Sequence, residues 1–161
     1  MKKGPHLLLY DESDEERICS IDFGMIRPGT PGWEIPVLLW NKKGFSDAPS
    51  ATDVRICAVA GNSCSTGIIE NKYLSVKSDG IIDPDNRGIV DDSETEFTKV
   101  GGSLVDEGGC HSIGDIPSNC ARRLIFRLDL PEDFSVNGFP RLIIQAGCFS
   151  EKVKWLYVPD A

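Results

Sequence analysis

IDFGMIRPGTPGWEIPVLLWN, residues 21–41, decides the reading of this chain. Cys19, Ile21 and Phe23 share one face of a strand, and Trp33, Ile35, Val37 and Leu39 share one face of the next. Arg27-Pro28-Gly29-Thr30-Pro31-Gly32 lies between them. Two prolines and two glycines in six residues exclude a helix. Alternation with a period of two on both sides predicts half-buried antiparallel strands.

The same pattern recurs outward from this stretch. Val54, Ile56, Ala58 and Ala60 alternate with Asp53, Arg55 and Cys57, which predicts a strand over 53–60. Leu124, Phe126, Leu128 and Leu130 share a face opposite Arg123, Arg127 and Asp129. Leu142, Ile144, Ala146 and Cys148 do so in the strand over 140–149, reached through an Asn137-Gly138 turn. Leu7 to Tyr10 reads as a first strand followed by a solvated acidic linker, and 152–158 as a last edge strand guarded by Lys152 and Lys154. Phe23, Ile35, Val37, Ile56, Leu124, Phe126 and Ile144 are the expected core.

Between Gly61 and Cys120 the alternation weakens. Nine of the sixteen glycines lie there, and eleven acids face four bases. Short strands are expected over 72–77 and 95–100, joined by long loops. A minimal sandwich needs about 100 residues, and the chain has 161. The expectation is a single all-β domain over 1–161, an antiparallel Ig-like β-sandwich of seven or eight strands, with 61–120 as an elaborated, glycine-rich acidic excursion.

Composition narrows the partners. A formal net charge of -8 repels phosphate backbones and anionic bilayers, so neither nucleic acid nor a membrane is expected. Lys2 and Lys3 precede an apolar run of only Leu7 to Tyr10, too short for a secretory signal. Synthesis in the cytoplasm without a cleaved signal peptide is the expectation. Six cysteines are present; in a reducing compartment free thiols are the default, with disulfides and metal as the alternatives.

Ile21-Asp22-Phe23-Gly24, Pro28-Gly29-Thr30 and Val37-Leu38-Leu39-Trp40-Asn41 together resemble the pattern of Hydin-type immunoglobulin-like domains. The Leu130-Pro131-Glu132-Asp133 loop, closed by Asn137-Gly138 before the final strands, is similar to another Ig-like habit. The resemblance covers the two ends of the core and leaves the middle out. It implies a sandwich fold and transfers no catalytic residue. More loosely, the chain resembles the small acidic Ig-like accessory proteins of tailed-phage virions.

Three clusters carry ligand-type side chains. Cys110, His111 and Cys120, which Cys57 and Cys64 could join in space, offer zinc ligands without the paired spacing of structural sites. Asp83, Asp85 and Asn86 offer oxygens for calcium on a glycine-turned loop, without EF-hand spacing and with Arg87 among them. Trp33, Trp40 and Trp155 with Tyr73 and Tyr157 could form an aromatic platform for glycans. Solvated loops and core packing are the simpler readings of all three. G-x-S-x-G, P-loop and G-x-G-x-x-G motifs are missing. No catalytic residue and no cofactor is therefore expected. Trp40 lies with Leu38 and Pro36 on the face opposite the core row, so either the excursion or a partner subunit must cover it. Leu38, Trp40, Trp155 and Tyr157 are the expected interface residues.

These readings lead to a non-enzymatic structural or assembly subunit of a phage-like virion: tail, baseplate or capsid surface. It would work through protein–protein packing in a homo- or hetero-oligomer. A glycan- or host-surface-binding adhesion module is the alternative.

Overall fold

The computed structural model describes residues 7–18, 20–24, 34–41, 50–57, 59–60, 73–82, 89–100, 110–129, 131–132, 142–145 and 157–158. They form twelve β-strands and no helix. The strands are β1 (Leu7–Asp11), β2 (Ser20–Gly24), β3 (Glu34–Asn41), β4 (Ala51–Cys57), β5 (Val59–Ala60), β6 (Leu74–Ile82), β7 (Ile89–Ser93), β8 (Thr98–Val100), β9 (Cys110–Ile116), β10 (Cys120–Leu128), β11 (Leu142–Gln145) and β12 (Tyr157–Val158).

The largest sheet runs β1-β3-β10-β6-β7, and β8 pairs beside β7 along the same edge of β6. All its pairings are antiparallel. A second sheet runs β2-β11-β12-β5, and β4 pairs β9 in a third. The β12–β5 pairing is parallel and short.

One face of the large sheet is a continuous apolar layer. Leu7 and Leu9 of β1, Val37 and Leu39 of β3, Leu124, Phe126 and Leu128 of β10, and Leu74 and Val76 of β6 are buried in one cluster. Ile21 of β2, Val54 and Ile56 of β4, and Ile113 and Ile116 of β9 belong to the same cluster. This is the parity expected for β3, β4 and β10. Ile35, near the start of β3, is only partly buried.

Three expectations are corrected. The two strands of the deciding stretch do not pair with each other: β2 pairs β11, and β3 lies between β1 and β10. The reason is on β3 itself. Both of its faces are apolar, so it belongs inside a wide sheet. The acidic run after β1 is solvated as expected, but it is an ordered turn and not a plain linker. The Asp11 carboxylate accepts hydrogen bonds from Ser13 Oγ and from the Glu15 and Glu16 amides. Asp14 takes a left-handed φ of 64°, a conformation that short polar side chains tolerate. The chain then turns back to bridge Tyr10 with Arg17.

The third correction concerns the middle of the chain. β6 is an interior strand, and Leu74, Val76, Val100, Ile113 and Ile116 are core residues. The alternation is present but interrupted. Between Arg122↔Ile81 and Leu124↔Ser78 the register with β10 shifts by one residue on β6, where Gly80 adopts φ 94°. An extra residue in a strand flips everything beyond it to the other face. Ile82 therefore joins the opposite face, although it is spaced evenly from Leu74.

Asn41, at the end of β3, is fully buried and joins the layers. Its side-chain amide donates to the Ile116 carbonyl (3.0 Å), and its own carbonyl accepts from the Asn119 amide (2.8 Å). The turn from β9 to β10 is thereby held where the chain crosses between sheets.

Candidate functional site

The outer face of the large sheet divides into a covered half and an open half. In the covered half Leu38 is 2% and Trp40 1% exposed, clustered with Ile82 and Ala121 and flanked by Tyr10. The cross-strand row explains the fit. Trp40 lies opposite Leu8 on one side and Ala121 on the other, and Ala121 lies opposite Ile82. Alanine leaves room for the indole. The acidic turn reaches this face: Trp40 Nε1 donates to Asp14 Oδ1 at 2.7 Å. Arg123 donates to Glu12 Oε1 at 2.8 Å and also to Asp79 Oδ2. Burial works against the Arg123 charge, but Glu12 and Asp79 more than offset it and hold its pKa above the ordinary value.

The open half lies at the other end of the same face. Glu34, Arg127, Ser75 and Lys99 form one cross-strand row over β3, β10, β6 and β8. A cleft of about 190 Å³ is lined by Tyr73, Ser75, Phe97, Lys99, Arg127 and Asp129. The Arg127 guanidinium lies 4.1 Å from the Phe97 ring centroid, and Lys77 Nζ lies 5.0 Å from it. Arg127 Nε also donates to Asp129 Oδ2 at 2.8 Å. The guanidinium is thus fixed by an aromatic face and a carboxylate, and its rotamer is chosen before any partner arrives.

A polar seam closes one side of the molecule. Arg122, 4% exposed, donates from Nη1 to Ser78 Oγ (3.0 Å) and from Nε to the Asp115 carbonyl (3.2 Å). The Ser78 amide donates to Glu94 Oε1 at 2.7 Å. His111 Nε2 lies 2.9 Å from both Glu94 oxygens. A carboxylate only accepts, so Nε2 carries the hydrogen. Glu94 stands between β7 and β8, so its side chain supplies the acceptor for an amide that neither strand pairs. Gly114, at φ 88°, lies under Arg122; a Cβ there would sit 2.9 Å from Arg122 Nη2. Ser78 is 1% exposed, which denies it to a substrate. The seam is built to tie β6, β9 and β10 together.

The residues singled out from the sequence fall in several places. Leu38 and Trp40 are inside the covered half-face. Tyr157 is in β12, opposite Gln145 and Val59, and Trp155 lies outside the described residues. Asp83, Asp85 and Asn86 also lie outside them, as do Trp33 and Cys64. Cys110 and His111 begin β9, directly opposite Cys57 and Ile56 of β4. His111 is engaged by Glu94, and Cys120 sits half-buried at the start of β10. Among the described residues no three His, Cys, Asp or Glu side chains gather around a cation position. Phe97, Lys77, Lys99 and Arg127 were not singled out as a site. Their signal was alternation: Ser75 and Lys77 on either side of Val76, and Phe97 and Lys99 around Thr98. That places them on the outer row, and only the register brings them together.

No family model, curated protein or solved structure matches the chain. The Hydin-type resemblance rests on the residues quoted above, and the phage-virion one on the general style of a small acidic Ig-like chain and on no motif.

Proposed function

We propose that the chain is a non-enzymatic assembly subunit, an Ig-like β-sandwich of a phage-like virion surface, which packs against further copies of itself. The observation that carries this reading is the open cleft, in which Arg127 is pre-positioned over Phe97 beside Lys77, Lys99 and Tyr73. Arginine and aromatic anchors in a fixed geometry are the residues that dominate protein interfaces. The partner surface is the acidic turn of a second copy. Glu12, Glu15 and Glu16 are exposed there, and their charge complements Lys77 and Lys99. Turn and cleft are different patches, so the contact is head-to-tail, and such contacts propagate into rings or filaments. A glycan fits the cleft less well, because two cations already lie over the Phe97 ring on which a sugar would stack.

Sedimentation velocity tests the reading. Self-association is expected at low salt and should weaken as salt rises. The pair Lys77→Glu and Lys99→Glu should abolish it, as should Glu15→Lys with Glu16→Lys. Mixing the two double variants should restore heteromeric association. A wild-type chain that stays monomeric at every concentration and salt sinks the proposal. Glycan-array binding by that monomer, lost in Phe97→Ala, would put the adhesion reading in its place.

A further inference from the structure

Cys57 ends β4 and Cys110 begins β9, and the antiparallel register sets them directly opposite each other. Directly opposed residues in antiparallel strands have Cα atoms about 4.5 or 5.5 Å apart, depending on whether the pair is hydrogen-bonded. A disulfide bridges Cα separations of about 4.4–6.8 Å. Either kind of pair therefore falls within the Cα range of a disulfide. From this register we infer that Cys57 and Cys110 form a reversible cross-strand disulfide, open in a reducing compartment and closed in an oxidising one.

The position has structural consequence. β4 and β9 form a two-stranded sheet, the smallest and least self-sufficient pairing a sheet can have. Its register is irregular between Ala51 and Arg55 and regular from Arg55 to Cys57. The bridge closes the regular end. β6, β7 and β8 all lie in the stretch of chain between the two cysteines, so one bond fastens the loop that carries the interior strand β6. Cross-links that close long loops restrict the unfolded chain most.

The oxidant is a small-molecule disulfide such as oxidised glutathione. One protein thiolate attacks a sulfur of that disulfide, breaking its S–S bond and releasing one glutathione as thiolate. The second protein thiolate attacks the mixed disulfide, forming the Cys57–Cys110 bond and releasing the second glutathione. The protein loses two electrons and the oxidant gains them. The two thiol protons pass through solvent to the departing glutathiones.

The test is a titration of the folded full-length chain with oxidised glutathione, followed by quenching with an alkylating agent and peptide mapping. The expected result is a Cys57–Cys110 linked peptide, loss of two alkylation adducts per chain, and a raised Tm that reductant reverses. Cys57→Ser and Cys110→Ser should each abolish the Tm shift. Oxidation in denaturant should scatter the pairing among the other cysteines. The map requires no substitution, so it stands even where a variant folds poorly. Two outcomes overturn the inference. One is full alkylation of Cys57 and Cys110 at saturating oxidant. The other is a linked peptide joining either of them to a different cysteine in the folded chain.

Discussion

Glu94 shows how one side chain can replace a piece of sheet. β7 pairs β6 as far as Asp79, and β8 pairs it from Val76, so the Ser78 amide lies at the break in the edge. The Glu94 carboxylate accepts from that amide and from His111. Glu94→Ala removes both acceptor contacts at once, and a buried donor left unmade costs about 1–3 kcal/mol. Urea unfolding should show a loss in that range, and Glu94→Gln, which keeps one acceptor oxygen, should recover most of it. Equal losses in both variants would mean that the charge, not the acceptor, matters. Gly114→Ala should cost about 1–3 kcal/mol, because a side chain at φ 88° is strained and its Cβ meets the Arg122 guanidinium. Asp11 carries the pH dependence of the acidic turn. Partial burial raises its pKa, but hydrogen bonds from Glu16, Ser13, Glu15 and Asp14 outweigh that and hold it below the ordinary 3.8. A depressed folded-state pKa stabilises the fold above the ordinary carboxylate value and loses that contribution as pH falls through the lowered one. The stability gap between wild type and Asp11→Asn should therefore be full at neutral pH and fade in acid. A gap that widens on acidification would contradict this account.

β10 is the element on which the large sheet depends, with β3 on one side and β6 on the other. Leu124, Phe126 and Leu128 are fully or almost fully buried on its inner face, so Phe126→Ala should cost about 3–5 kcal/mol. A loss below about 1 kcal/mol in a denaturant titration would mean that this face is not the core. The inner rows of β3 and β10 were legible in the sequence because each is an unbroken alternation; β4 was legible only from Val54 on, because its register is irregular before Arg55 and Ala51 joins the core three residues ahead of Val54. β6 was only partly legible. Its alternation runs from Leu74 to Ser78, and the bulge at Gly80 then reverses the parity, so a pattern of period two loses it midway. The acidic turn was missed for a different reason. Its order comes from hydrogen bonds to one aspartate, and to a period-two pattern a run of acids looks like solvent-facing chain. The cleft and the seam were the least legible. Arg127 meets Lys99 through Ser75, and Glu94 meets His111, only by virtue of registers between strands remote in sequence. Composition does not encode those registers locally.

At the scale of the whole molecule, the question is whether the middle of the chain is an ornament or a wall. Its acids and glycines suggest an ornament. Ser75, Lys77 and Asp79 do face outward, but Leu74 and Val76, which alternate with them, are fully buried. Without β6, the inner row of β10 loses its neighbours Leu74 and Val76, and the β10 edge exposes unpaired amides and carbonyls, which are costly when left dry and adhesive when wet. β9 loses its Glu94–His111 tie and β10 its Arg122–Ser78 tie along with it. A chain in which residues 74–100 are replaced by a flexible Gly/Ser linker of similar length is therefore expected to show no cooperative thermal transition, to bind hydrophobic dye and to aggregate. Native-state hydrogen exchange on the intact chain gives a second view that involves no deletion. Amides of Leu74 to Lys77 and of Leu124 to Leu128 should exchange together, at the slow limit set by global unfolding. If the shortened chain melts cooperatively at an unchanged temperature, or if the β6 amides exchange much faster than those of β10, then β6 is an appendage after all and the core closes without it.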